Sequence, residues 1–158
     1  MAAAAGLAFA DEASLWLSEG VDLNGRRFAV DPVTTIDPRA EEEHAVDKLR
    51  TELAKGLAQL EMLDTGDKAP PRSVRISCEI KRYSAGNVAG RWIGGKFGAA
   101  YIVVLVKLAE QESHQLIGEM VAVREIAGGG LFSIEAGSTI VTDAADEIVK
   151  AISNRVAH

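Results

Sequence analysis

Along the chain the spacing of apolar positions changes several times, and each change marks an element. Val74, Ile76, Cys78 and Ile80 alternate with Arg75, Ser77, Glu79 and Lys81, the two-residue period of a half-buried strand with one wet face. Tyr101 to Val106 (YIVVLV) is apolar on both faces, which predicts a central strand covered on both sides. Leu116 to Ile126 reads as a third long strand, reached through Ala109 to Gln115. Upstream, Phe28-Ala29-Val30 starts a first strand that Pro32 interrupts before Ile36. A proline inside such a run points to a sheet edge or a bulge. Leu15-Trp16-Leu17, bounded by Gly20 and Asn24-Gly25, is a small apolar knot that suits either a short helix or a packed arm.

The period then lengthens. Asp37-Pro38 is a helix start, with Asp37 as N-cap and Pro38 at the first helical position. Glu41, Glu42 and Glu43 follow where they complement the helix dipole. Val46, Leu49, Leu53, Leu57, Leu60 and Leu63 recur at steps of three and four, an apolar stripe that predicts a helix over about Arg39 to Leu63. Thr65-Gly66-Asp67 and Pro70-Pro71 close it. A final helix is marked by Ile140, Ala144, Ile148, Ile152 and Val156 at steps of four, with acidic residues early and Lys150 and Arg155 late, as the dipole prefers.

The resulting order is β-α-β-β-β-α, an α/β chain of the α+β type. The strands that flank the long helix pair most simply in parallel, and the later strands follow as an antiparallel meander. This predicts a mixed four-stranded sheet with two helices on one face. The doubly apolar strand then lacks a cover on the other face, which the Leu15-Trp16-Leu17 arm or a partner has to supply. Residues 11–158 are expected to form a single domain.

Composition narrows the function. With 158 residues, 47% of them hydrophobic and 25% charged, the chain is long enough for an ordinary core. A net charge of −6 repels phosphate backbones, and Arg26-Arg27 and Lys81-Arg82 are too small to outweigh it, so no nucleic-acid partner is expected. Cys78 is the only cysteine, so no disulfide forms within the chain, and its place on the apolar face suits a core residue better than a reactive thiol. Residues 1–10, MAAAAGLAFA, end on the small-x-small pattern of an export cleavage site but lack a basic start. They read either as a truncated signal-peptide remnant or as a disordered terminus.

The candidate chemistry is mostly subtracted. Gly90-Arg91-Trp92-Ile93-Gly94-Gly95-Lys96 has the spacing of a phosphate loop. Phe97 stands where a hydroxyl would hold magnesium, and a strand follows where a helix N-terminus is needed. Gly86, Gly90, Gly94 and Gly98 are spaced for helix packing in lipid, but no stretch approaches the roughly 20 apolar residues of a spanning helix. His44, His114 and His158 are far apart, and no local metal-ligand or nucleophile pattern accompanies them. No cofactor, metal or catalytic residue is therefore assigned. Within the glycine-rich connection, Trp92 flanked by Arg91 and Ile93 is the candidate contact site.

From Val74 onward the chain resembles the bacterial domain of unknown function 4410 family. The resemblance rests on Gly94-Gly95-Lys96-Phe97-Gly98-Ala99-Ala100 leading into the Val-rich strand, on Gly118-Glu119, on Gly128-Gly129-Gly130-Leu131-Phe132, and on the closing helix Asp143 to Ile152. It is similar, more distantly, to the periplasmic domain of the curli secretion-channel lipoprotein. The resemblance implies a cell-envelope or periplasmic location, with a cytoplasmic one as the alternative, and favours the export reading of residues 1–10. It implies no catalytic residues. The chain departs from lipoproteins in having no lipobox cysteine. The expected function is a non-enzymatic protein-interaction or assembly module whose partner is protein, itself or an envelope component, with oligomers allowed. The alternative is a small-molecule-binding or enzymatic domain with an unrecognised site.

Overall fold

A computed structural model describes residues 14–64, 73–86, 100–126 and 136–156. Among these, six strands and three helices run in the order β1 (Trp16–Leu17), β2 (Phe28–Val30), β3 (Thr34–Thr35), α1 (Pro38–Glu42), α2 (Ala45–Gln59), β4 (Val74–Ser84), β5 (Ala100–Glu110), β6 (Leu116–Ile126) and α3 (Ala136–Val156). The strands form one mixed sheet in the order β1-β6-β5-β4-β2, with β3 also on β4. The meander β4-β5-β6 is antiparallel and β2 pairs with β4 in parallel, as the spacing predicts.

The expected four strands and two helices become six and three for local reasons. Pro32 splits the first strand, and both halves, β2 and β3, lie parallel to β4. Between them Asp31 accepts bonds from the Arg75 Nε and Nη2 atoms (3.0 and 2.6 Å), and its backbone N–H donates to the Ile76 carbonyl (2.9 Å). The apolar knot is neither a helix nor a cover: it is the short edge strand β1, antiparallel to β6 through Trp16↔Glu119 and Leu17↔Gly118.

The predicted long helix divides at Glu43-His44, where His44 takes the left-handed conformation (φ 57°). Asp37 caps α1 as expected, accepting from the Arg39 backbone N–H (3.1 Å). Leu49, Leu53 and Leu57 then bury the stripe of α2. Leu60 and Leu63, its last predicted members, fall outside the helix. Glu61 turns left-handed (φ 55°), and the N–H groups of Glu61 and Met62 donate to the carbonyls of Ala58 (3.0 Å) and Leu57 (2.8 Å). This is a Schellman closure with a non-glycine residue at its left-handed position. The chain reverses there, and Leu63 bridges to Phe28 on the sheet.

The core lies between the sheet and the helices. Val74, Ile76, Cys78 and Ile80 on β4, and Ile102, Val104, Val106 and Leu108 on β5, point into it and are buried. So do Met120 and Ala122 on β6 and Ile140, Ala144, Ile148 and Ile152 on α3. Each fully buried aliphatic of this size contributes roughly 1.5–3 kcal/mol of transfer free energy. Helices α2 and α3 meet at Gly56, where a Cβ would stand 2.9 Å from the Val149 Cγ2, so only glycine permits this approach without a shift. Two ion pairs tie the edges: Arg124 Nε to Glu147 Oε2 (2.7 Å) joins β6 to α3, and Arg26 Nη1 to Glu110 Oε1 (2.6 Å) joins the entry of β2 to the end of β5.

Candidate interaction face

Strand β5 is central, but it is not covered on both sides as its composition predicts. The helices cover the face that carries Ile102, Val104, Val106 and Leu108. On the other face Tyr101, Val103 and Leu105 are only half-buried and Lys107 is exposed. The registers place these residues in rows with their neighbours. Tyr101 lies between Ser84 and Glu125, Val103 between Arg82 and Val123, Leu105 between Glu79 and Val121, and Lys107 between Ser77 and Glu119. Trp16 extends the last row, opposite Glu119 at the sheet edge.

An apolar stripe therefore crosses the open face obliquely. Val121 and Val123 are 50% and 41% exposed, and Trp16 is 57% exposed. Together with the half-buried Val103 and Leu105 they make a contiguous patch, whereas exposed apolar residues scattered singly need no explanation. The β4 side of the same face is polar: Arg75 pairs with Asp31, Ser77 Oγ donates to Asp31 Oδ2 (3.0 Å), and Lys81 pairs with Glu79. Around the stripe, Lys107, Glu119 and Glu125 form no ion pair among the described residues.

Gly118 lets β1 sit close enough to carry Trp16. A Cβ there would come 2.8 Å from Leu17 Cδ2 and 3.0 Å from the Trp16 carbonyl oxygen. Beyond Glu119, no described strand pairs with the outer edge of β6.

At the upper rim a polar cluster joins α1 to the sheet. The buried Asp37 carboxylate accepts from the Tyr83 backbone N–H (2.9 Å) and from Arg39 Nε and Nη2 (3.1 and 2.9 Å). The Arg39 side-chain bonds and the two backbone donors hold its pKa down at about 2, against the opposing effect of burial. Arg39 Nη2 also donates to the Tyr101 hydroxyl (3.3 Å), and Tyr83 donates its hydroxyl to Glu43 Oε2 (3.2 Å). Burial and the Glu43 charge push the Tyr83 phenol up to about 12. Every bond here is made within the protein, so the cluster braces α1 against β4.

Elsewhere the chemistry is sparse. The Cys78 thiol is buried, and desolvation with the Asp31 charge raises it to about 12, far from a reactive thiolate. His44 and His114 sit apart, each at a left-handed turn. Among the described residues no three His, Cys, Asp or Glu side chains come together as a metal site, and no helix is long and apolar enough to cross a membrane. A shallow cleft of about 330 Å³ lies between Leu17, Leu23, Asn154 and Arg155. Arg155 Nη2 there donates to the Leu15 carbonyl (2.7 Å), tying the arm to the end of α3. Arg91, Trp92 and Ile93, the candidates from the sequence, lie outside the described residues. The open face that the structure adds was missed because Tyr101 to Val106 reads as covered twice.

The fold has known counterparts. The PelC dodecamer from Paraburkholderia phytofirmans is similar in two crystal forms. One has a TM-score of 0.60 at 14% identity, over 88% of this chain and 98% of that one. The other has a TM-score of 0.54 at 12% identity, over 85% and 97%. A Xanthomonas campestris protein of the DUF330 family gives a TM-score of 0.53 at 14% identity, covering 84% of this chain and 86% of its own. At these identities the likeness is one of fold. No curated protein matches the sequence. The model of the domain of unknown function DUF4410 matches residues 22–130, more than two thirds of the chain, and the protein belongs to that family.

Proposed function

We propose that this is a non-enzymatic cell-envelope protein that works by contact, as an assembly module holding another protein or a further copy of itself. The observation that carries the reading is the oblique stripe of Val103, Leu105, Val121 and Val123 on the open face of the sheet, extended by Trp16. Leaving such a patch in water costs roughly 25 cal/mol for each Å² that a partner would cover. Contiguous exposed apolar patches mark interaction surfaces, whereas singly scattered apolar residues do not. The oligomeric state of the PelC structures, which share the fold, supports assembly as the use of such a domain. The family resemblance set out from the sequence supports the envelope location.

Photo-crosslinking in cells tests this. A photoreactive residue at position 121 should give discrete adducts, and the same residue at position 50, exposed on α2, should give none. No adduct at 121, or equal labelling at both positions, would overturn the reading.

A further inference from the structure

The open face is self-complementary, and the geometry points to a second copy of this chain as its occupant, packed sheet face to sheet face about a two-fold axis that runs parallel to the strands above the gap between β5 and β6. This rests on the contact function proposed above and names its partner. The argument comes from the rows. Across β5 and β6 the cross-strand pairs are Tyr101 with Glu125, Val103 with Val123, Leu105 with Val121, and Lys107 with Glu119. The stated rotation lays β5 of one copy over β6 of the other and keeps each row at its own height. Every residue then faces the second copy's version of its own cross-strand neighbour.

The outcome is favourable in all four rows. Val103 meets Val123 and Leu105 meets Val121, so the apolar stripe covers itself. Lys107 meets Glu119 below it, and the Tyr101 hydroxyl meets Glu125 above it. Strand β5 supplies the donors at both ends and β6 the carboxylates, an asymmetry that the rotation turns into complementarity. Among the described residues Lys107, Glu119 and Glu125 make no ion pair within one copy, and the contact supplies each with a complementary partner. Trp16, one strand beyond β6, comes over Ser77 on the second copy's β4, where a small exposed side chain leaves room for the indole. Stacked sheets sit about 10 Å apart and turn by about 30°. Over rows that span about 20 Å this displaces the outer ones by about 5 Å, within the reach of Lys and Glu side chains.

The face is small, so the association belongs at the weak end of specific interfaces. Analytical ultracentrifugation of the full chain from roughly 1 µM to 1 mM should show a monomer–dimer equilibrium. Lys107→Glu leaves only carboxylates at those two positions, and Glu119→Lys leaves only ammonium groups. Each variant alone should therefore dimerise at least about tenfold more weakly, because like charges then face each other. Mixed in equal amounts, the two should form a heterodimer at least as tight as the wild-type dimer, which also shows that both variants fold. A mixture that stays monomeric would overturn the proposal, as would variants that self-associate like the wild type, or a wild type monomeric throughout the range. The crosslinking experiment separates this failure from that of the broader reading. Adducts at position 121 of twice the chain mass support a second copy. Adducts of another mass with a monomeric wild type sink the self-pairing and leave the contact function standing.

Discussion

The two faces of the central sheet are built from the same strands and nearly the same amino acids, yet they have different surroundings. On the helix side, Ile102, Val104, Val106 and Leu108 of β5 are fully buried beneath the helices. One residue out of phase, Val103 and Leu105 of the same strand are half-buried, and their β6 neighbours Val121 and Val123 stand largely in water. Hydrophobicity of a residue therefore does not settle its role here. What decides is whether the topology brings a second layer over that face. Helices α1, α2 and α3 all return to one side, and β1 is too short to fold back over the other. The covered face accounts for stability, and the bare one is available for contact.

The largest effects should come from the covered face. Ile102→Ala removes a fully buried side chain from the central strand, and should cost roughly 2–5 kcal/mol in denaturant unfolding. Val104→Thr keeps the shape but buries a hydroxyl among Ile80 and Ala122, and should cost roughly 1–3 kcal/mol. A loss below about 1 kcal/mol at Ile102 would mean that the core is looser than its burial implies.

Gly118→Ala tests the junction between the faces. The added methyl meets Leu17 Cδ2 at 2.8 Å and the Trp16 carbonyl oxygen at 3.0 Å. A backbone oxygen cannot rotate aside, so β1 must shift. The expected loss is roughly 1–3 kcal/mol, with a red shift of Trp16 emission as the indole moves. Unchanged stability and fluorescence would show that β1 is held less closely than the register requires.

The sequence discloses the covered face well and the bare one poorly. Strand β4 follows from apolar alternation, because burial on one side imposes a two-residue period, and β5 follows from a continuous apolar run whose two faces the spacing does not tell apart. The break at His44 is harder to see, since a left-handed histidine has no side-chain signature. In the structure Ala45 lies in step with Leu49, Leu53 and Leu57, whereas the buried Ala40, five residues earlier, does not, but two alanines carry too weak an apolar signal to show that change of phase. Leu60 and Leu63 extend the spacing of that stripe but lie beyond a Schellman turn closed by Glu61, where glycine would have announced the end. For the candidate site, an apolar strand face looks the same in sequence whether a helix or a second molecule covers it. Arg91, Trp92 and Ile93 drew attention through their residue types, while Val121 and Val123 look like ordinary strand residues.

Asp37 offers a pH-dependent comparison of the rim with the rest of the molecule. Its folded pKa of about 2 lies below the ordinary 3.8. A depressed carboxylate stabilises the fold above the unfolded value and loses that contribution as pH falls through the folded one. Its share should therefore be complete above about pH 4 and should drain away between pH 3.8 and 2. Asp37→Ala removes the cap of α1 and the acceptor of the Tyr83 N–H, and should cost roughly 0.5–2 kcal/mol at neutral pH. The difference from wild type should shrink as pH approaches 2. A difference that stays constant across this range would show that the carboxylate charge contributes nothing beyond its shape.

The smallest effect on stability is expected on the bare face, from the same exchange of valine for threonine. Val121→Thr retains the branched Cβ that suits a strand, and its hydroxyl lies where water can bond it, because Val121 is 50% exposed. Stability should change by no more than about 0.5 kcal/mol, against the roughly 1–3 kcal/mol expected for Val104→Thr. The two residues lie on adjacent strands of one sheet, and the exchange is chemically identical, so propensity and volume cancel between them. What remains is the environment of the face. Chemical denaturation well below the concentration at which copies associate isolates the folding contribution. Equal losses at positions 104 and 121 would show that the face carrying Val121 is covered in the isolated chain, and the contact surface would have to be sought elsewhere.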